Sequence, residues 1–145
     1  MTALEILVKL IKKYEGCELT AYRCPAKIWT IGYGYTHNIK EGMVWTQQQA
    51  DEALHTVALE SLNTVFRLSP TLRDESIYKQ AAIADFIYNL GAGNYAKSSL
   101  KLRVDQKNWV SAIHEIKKWD KVKGVPLKGL TRRREEEAKL LASCY

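Results

Sequence analysis

The chain has 145 residues, 46% of them hydrophobic, and a formal net charge of +6 from 22 Lys and Arg against 16 Asp and Glu. That is one domain with enough apolar side chains for a core, and no run of 18 apolar residues that could cross a membrane as a helix. Three cysteines, Cys17, Cys24 and Cys144, leave at least one thiol unpaired and have no metal-type spacing, while the positive excess favours a polyanionic partner: nucleic acid, an anionic membrane or bacterial wall polymer.

Thr2 and Glu5 have capping-box spacing, so a helix is expected from there to Gly16, with Leu4, Leu7, Val8, Ile11 and Tyr14 on one face. Glu5 and Lys9 interrupt its apolar face, so it does not read as a signal peptide. The chain is expected to be made and kept in the cytoplasm with its thiols reduced. Residues 18–36 read as short antiparallel strands broken by a turn at Pro25, Ala26 and Lys27. Gly32 and Gly34 mark backbone that needs unusual dihedrals or close approach to a ligand. Residues 38–44 form a loop or a third short strand. Thr46 and Gln49 open a long helix reaching about Leu68, with a stripe from Ala50 through Leu54, Val57, Ala58 and Leu62 to Val65.

The most apolar helix is expected from about Arg73 to Leu90, ended by the glycines of residues 89–94. Ser98 or Ser99 caps a short helix and Asn108 another, with Trp109 and Trp119 in the core. Residues 121–129 read as a basic loop. The last helix runs over 130–144, with Leu130, Ala138, Leu141 and Ala142 inward and Arg132, Arg133 and Arg134 near its start. At least two of those arginines are expected on a solvated basic face. His55 and His114 have no ligand partners at metal spacing and read as structural or exposed. The architecture is α+β, mostly α: a small β-bearing lobe over about 15–45, a linking helix 46–68, and a helical lobe over 69–145 on which helix 1–14 packs.

Chemistry concentrates between Glu15 and His37. Glu15 lies at a helix C-terminus, where the macrodipole disfavours an anion and would raise its pKa, as a general acid requires. Cys24 follows eight intervening residues later, and Thr30 after five more, within Ile28-Trp29-Thr30-Ile31-Gly32-Tyr33-Gly34. Read alone, Glu15 is a surface acid, Cys24 a small buried hydrophobe and Thr30 a strand-former. Together with Ala21-Tyr22-Arg23-Cys24-Pro25, Phe86-Ile87-Tyr88-Asn89-Leu90-Gly91-Ala92-Gly93, Ser98-Ser99-Leu100 and the segment from Gly129 to Glu137, they form a pattern that resembles the phage-type lysozymes over almost the whole chain.

That resemblance implies a two-lobed lysozyme fold with a cleft between the lobes. It implies an endolysin cleaving the β-1,4 bond between N-acetylmuramic acid and N-acetylglucosamine in peptidoglycan, with no metal or cofactor. Glu15 then serves as general acid, Cys24 as base or nucleophile and Thr30 as the group holding water. Flanking Arg23 and Lys27 would favour the thiolate. The match sets Tyr88, Asn89 and Ser99 at the cleft, with Tyr35 and Thr36 on the opposite wall, although Tyr88 could equally be core and Ser99 only a cap. One of Arg132, Arg133 and Arg134 pairs with Glu15. The chain departs from the family in carrying Tyr35 after the Gly-Tyr-Gly run, with His37 two residues on, and in carrying Cys24 where many relatives have Asp. The likeness favours inversion. It also implies a monomer released by a separate holin-like partner, with no nucleic acid bound. The alternatives are a non-catalytic basic module on wall polymer or nucleic acid, and a thiol hydrolase using Cys24 with His37.

Overall fold

The computed structural model describes residues 1–143, so Cys144 lies outside the described residues. The Thr2 hydroxyl accepts the Glu5 amide at 3.1 Å and starts α1 (Ala3–Tyr14). Ile6, Leu7, Leu10 and Ile11 form its buried face. Leu7 and Ile11 are fully enclosed, and each such side chain contributes roughly 1.5–3 kcal/mol.

Two short strands follow, β1 (Glu18–Arg23) and β2 (Trp29–Gly32), paired antiparallel with Tyr22 opposite Thr30 and Arg23 opposite Trp29. The expected third strand is a single bridge: Ala21 donates to Met43 and Trp45 to Leu19 through their backbones. At Thr46 both halves of the capping box form, and α2 (Gln47–Leu68) runs on from it. Its stripe lies inward as expected, save that Ser61 joins the buried face and Val57 sits half-buried.

The next helix starts later than the apolar pattern suggests. Pro70 begins a 3-10 turn (Pro70–Asp74), and Ser76 then caps α3 (Ile77–Leu90) by accepting the Lys79 amide. The chain resumes directly after Gly91 as α4 (Ala92–Ala96), a helix hidden by the glycines around it. Ser98, not Ser99, caps α5 (Ser99–Asp105), and Asn108 caps α6 (Trp109–Ile116). The expected basic loop is a hairpin, β3 (Lys121–Val122) and β4 (Val125–Pro126), turned by Lys123 and Gly124, both at positive φ.

The last helix, α7 (Lys128–Leu141), corrects the reading of its own faces. Arg133, Arg134 and Glu137 point inward with Ala138 and Leu141, while Arg132 and Ala142 are exposed. The arginine triplet therefore sends two members into the core instead of a solvated face. One apolar cluster runs through α1, α2, α3, α5, α6 and α7, with α1, α2 and α7 all packed on α3. Trp109 and Trp119 pack against that core partly buried, and His55 and His114 are exposed. No helix among the described residues is long and apolar enough to cross a membrane.

Candidate active site

Glu15 ends α1, its amide donating back to Ile11 and its side chain 27% exposed at the floor of a cleft. Two hollows meet there. One, of about 450 Å³, is lined by Gly34, Tyr35, Thr36 and His37 on one wall and by Val57, Ser61, Ile87, Tyr88 and Asn89 on the other. The second, of about 460 Å³, is lined by Gly16, Glu18 and Tyr22, and shares Glu15 and Gly34 with the first. Glu15 thus sits at the waist of one continuous groove.

Gly34 makes that waist possible. It holds φ at +83°, and a Cβ there would stand 3.2 Å from Glu15 Oε1. The close approach foreseen for the glycine pair is, at Gly34, an approach to the acid itself. Tyr88 reaches across from α3, and its hydroxyl donates to the Tyr33 carbonyl at 2.6 Å. Its ring therefore lines the cleft while its polar end is occupied. Asn89 Oδ1 accepts from Arg134 at 2.9 Å, which turns its NH2 into the available donor.

A buried ionic array holds the acid from behind. Arg133 is the arginine that pairs with Glu15, donating from Nη1 to Oε2 at 2.5 Å. Its other edge forks onto Asp85 of α3, with Nε at 2.9 Å and Nη2 at 2.8 Å. The helix-end field expected around Glu15 is therefore met by a guanidinium. Next to it, Arg134 grips Glu137 at 2.6 Å. Burial works against Asp85, but hydrogen bonding from Glu137 and the charge of Arg133 hold its carboxyl below the usual range. Burial, then the neighbouring Asp85, pushes Glu137 well above that range, against the pull of Arg134. Asp85 keeps the charge of this pair, and Glu137 keeps the proton.

Cys24 directly follows β1 and sits half-buried at the turn, its amide donating to the Ile28 carbonyl at 3.0 Å. Main-chain hydrogen bonding at Ile28, then at Ala26, with help from the Thr30 hydroxyl, holds its thiol below the ordinary range, although partial burial opposes this. The expected cause, flanking Arg23 and Lys27, is not the one at work. Arg23 instead stacks 5.3 Å from the Trp29 ring centre, and Lys27 occupies a positive-φ turn position. Thr30 is buried and donates to the Ile28 carbonyl at 2.9 Å. Its hydroxyl has one proton, so it serves either that carbonyl or the sulfur.

Of the expected residues, Glu15, Tyr35, Thr36, Tyr88 and Asn89 share the larger hollow; Cys24 and Thr30, the latter opposite Tyr22 across the strand pair, are outside the lining of both. Burial, then the charge of Glu18, pushes the Tyr22 hydroxyl up, with smaller contributions from Cys24 and Glu15. Ser99 is exposed in the first turn of α5, away from either hollow. His37 lines the larger hollow and Cys24 lines neither. Sequence reasoning missed Tyr22, Ser61 and Asp85. An aspartate alone in an apolar helix was the available signal for the last, since a buried acid demands a cation. Among the described residues no cluster of His, Cys, Asp and Glu could hold a metal.

Comparison with known proteins gives the family and the fold. The phage lysozyme family model matches residues 12–137. An endolysin of Acyrthosiphon pisum secondary endosymbiont phage 1 is 36% identical over 141 residues, spanning 92% of this chain and 93% of that one. Among solved structures, the muramidase domain of SpmX from Asticaccaulis excentricus superposes with a TM-score of 0.86 at 29% identity, covering 94% of this chain and 95% of that one. The active form of the P1 phage endolysin Lyz gives 0.83 at 27% identity, covering 94% and 83%.

Proposed function

The chain belongs to the phage lysozyme family and is a glycoside hydrolase of the endolysin type, and we propose that it hydrolyses the β-1,4 bond between N-acetylmuramic acid and N-acetylglucosamine to lyse the host. The observation that carries this reading is Glu15 at the waist of a continuous groove, anchored by a buried guanidinium. A groove with space on both sides of one acid suits a polymer cut in its middle.

Glu15 protonates the glycosidic oxygen as the bond breaks. Cys24, as thiolate, takes the proton of the attacking water, and Thr30 supports it with its hydroxyl. Tyr88 and Tyr35 offer ring faces to the sugars, Asn89 donates its NH2 to an acetamido carbonyl, and Thr36 hydrogen-bonds from the opposite wall. Ser99 would serve only a substrate arm extending beyond the groove. In this arrangement residues about 15–45 supply one wall, and α2 together with the lobe over 69–143 supplies the other. The enzyme acts as a monomer and reaches the wall from the host cytoplasm through a separate holin-like partner.

The deciding experiment is reducing-end analysis of digested peptidoglycan. New reducing ends on muramic acid, lost in Glu15→Gln, are the expected result; released peptides, or anhydro-sugar ends, would overturn it. Co-expression with a membrane-permeabilising protein should give lysis where the enzyme alone gives none. A non-catalytic basic module loses its main support, because two of the three clustered arginines are buried and paired.

A further inference from the structure

The proposed chemistry, on which this inference rests, asks Glu15 to hold a proton while touching a cation. The two demands conflict, because a cation in contact lowers a carboxyl pKa by roughly 1–3 units. The geometry of Arg133 bears on that conflict. Only Nη1 faces Glu15, while Nε and Nη2 are both given to Asp85. Asp85 is fully enclosed on α3, so it cannot touch substrate. We infer that Asp85 is a positioning residue that offsets the charge of Arg133 from behind, so that the guanidinium orients Glu15 without stripping its proton.

The groups facing this array come from four elements. From α7 come Arg133, Arg134, the protonated Glu137 and, farther off, Glu136, which is held by Lys13 at 2.6 Å. From α1 comes Tyr14, its ring 5.5 Å from the Arg133 guanidinium and its hydroxyl donating to Glu136. Tyr88 of α3 and Tyr22 of β1 lie in the field of Glu15. All three phenols are pushed up, chiefly by burial, and stay neutral at working pH. Glu18 and His37 line the hollows on the open side of Glu15 and are the same with or without Asp85, so the charged set behind the acid is Asp85, Arg133 and Arg134. With Asp85 present, protonating Glu15 leaves this set and Glu15 with one net positive charge. Without Asp85 it would leave two, which makes protonation harder.

Asp85→Asn in a Glu137→Gln background tests this directly, since the first change keeps the size and one acceptor for Arg133 and removes the charge, and the second stops Glu137, whose proton Asp85 helps to hold, from ionising in its place. The limb of kcat/KM that reports Glu15 should move to lower pH by roughly one unit. KM should stay near the parent value. Glu137→Gln replaces one neutral donor by another and should leave the limb in place. A loss of kcat that is uniform across pH, with the limb fixed, would mean that Asp85 only supports the fold and would overturn the inference. Should Asp85→Asn fail to fold, carboxyl 13C NMR titration of the unmodified protein decides. Asp85 staying ionised while Glu15 takes up its proton supports the role, and Asp85 taking the proton first removes it. Glu15→Gln separates the two levels: an active Gln variant sinks the acid assignment and this inference with it, whereas an inactive one beside an unmoved Asp85→Asn limb sinks the inference alone.

Discussion

At the scale of single residues the site divides into an acid held by ions and a sulfur held by backbone. Glu15→Gln should keep the helical circular dichroism of the parent and lose nearly all lysis, because the amide still hydrogen-bonds but has no proton to give. A folded Gln variant with half the parent's activity would disprove the assignment. Cys24 carries the opposite requirement, since it must lose a proton to act. Its thiol is held below the ordinary range by main-chain contacts at Ile28 and Ala26 and by Thr30, so the thiolate survives to lower pH than that of a free cysteine. The acid limb of activity marks where that proton returns. An ordinary aspartate titrates near 3.9 against about 8.5 for a thiol, so Cys24→Asp should stay active and extend the limb several units toward acid. Alkylation should inactivate the parent and spare Cys24→Asp, which retains Cys17 and Cys144. If Cys24→Ala matches the parent across pH, the sulfur is packing and the second group lies elsewhere.

At the scale of elements, function depends on how closely the β-hairpin wall approaches the end of α1. Gly34 sets that distance. Gly34→Ala would force a side chain into the left-handed region, at a cost of roughly 1–2 kcal/mol, and would press its Cβ on Glu15. We expect Tm to fall by roughly 3–6 °C and kcat to fall by tenfold or more, more than the lost stability explains. Gly93→Ala is the control, because nothing lies within 4 Å of its Cβ inside α4, and it should leave activity intact and Tm unchanged or slightly raised. A Gly34→Ala enzyme with full activity would show that the acid tolerates a wider waist. The same elements show what the sequence made legible. Caps at Thr2, Thr46 and Asn108 are local hydrogen bonds written in two or three residues, and they were readable. The burial of Arg133 and Arg134 was not, because Arg133 is met by Asp85 from another helix 48 positions away, and Glu137, three positions from Arg134 on the same helix, turns inward with it. The hairpin at 121–126 was equally hidden, since strands of two residues carry no alternation to read.

At the scale of the whole molecule, the groove around Glu15 was legible where short motifs carry it, at Tyr35 and Thr36 on one wall and at Tyr88 and Asn89 on the other, while Val57 and Ser61 of α2 belong to no motif and were not read as lining. Net charge works differently, since it acts through the solvent and is indifferent to topology. Pairing Arg133 and Arg134 inside the protein leaves the sum at +6 but removes those two cations from direct contact with a partner. The remaining excess lies on exposed lysines, among them Lys123 at the β3–β4 turn and Lys128 at the start of α7, where no acid pairs with either among the described residues. An anionic wall attracts such a protein over the Debye length, about 30 Å at 0.01 M salt and about 10 Å at 0.1 M. Lysis of whole walls should therefore weaken as salt rises through that range, while turnover of a short, uncharged oligosaccharide should not change. Lys123→Gln with Lys128→Gln should flatten the salt dependence on walls and leave the oligosaccharide rate alone, since neither residue lines the groove. Activity on walls that climbs steadily from low to high salt would mean that attraction holds the enzyme too tightly to move between strands, and that the positive surface slows catalysis instead of recruiting it.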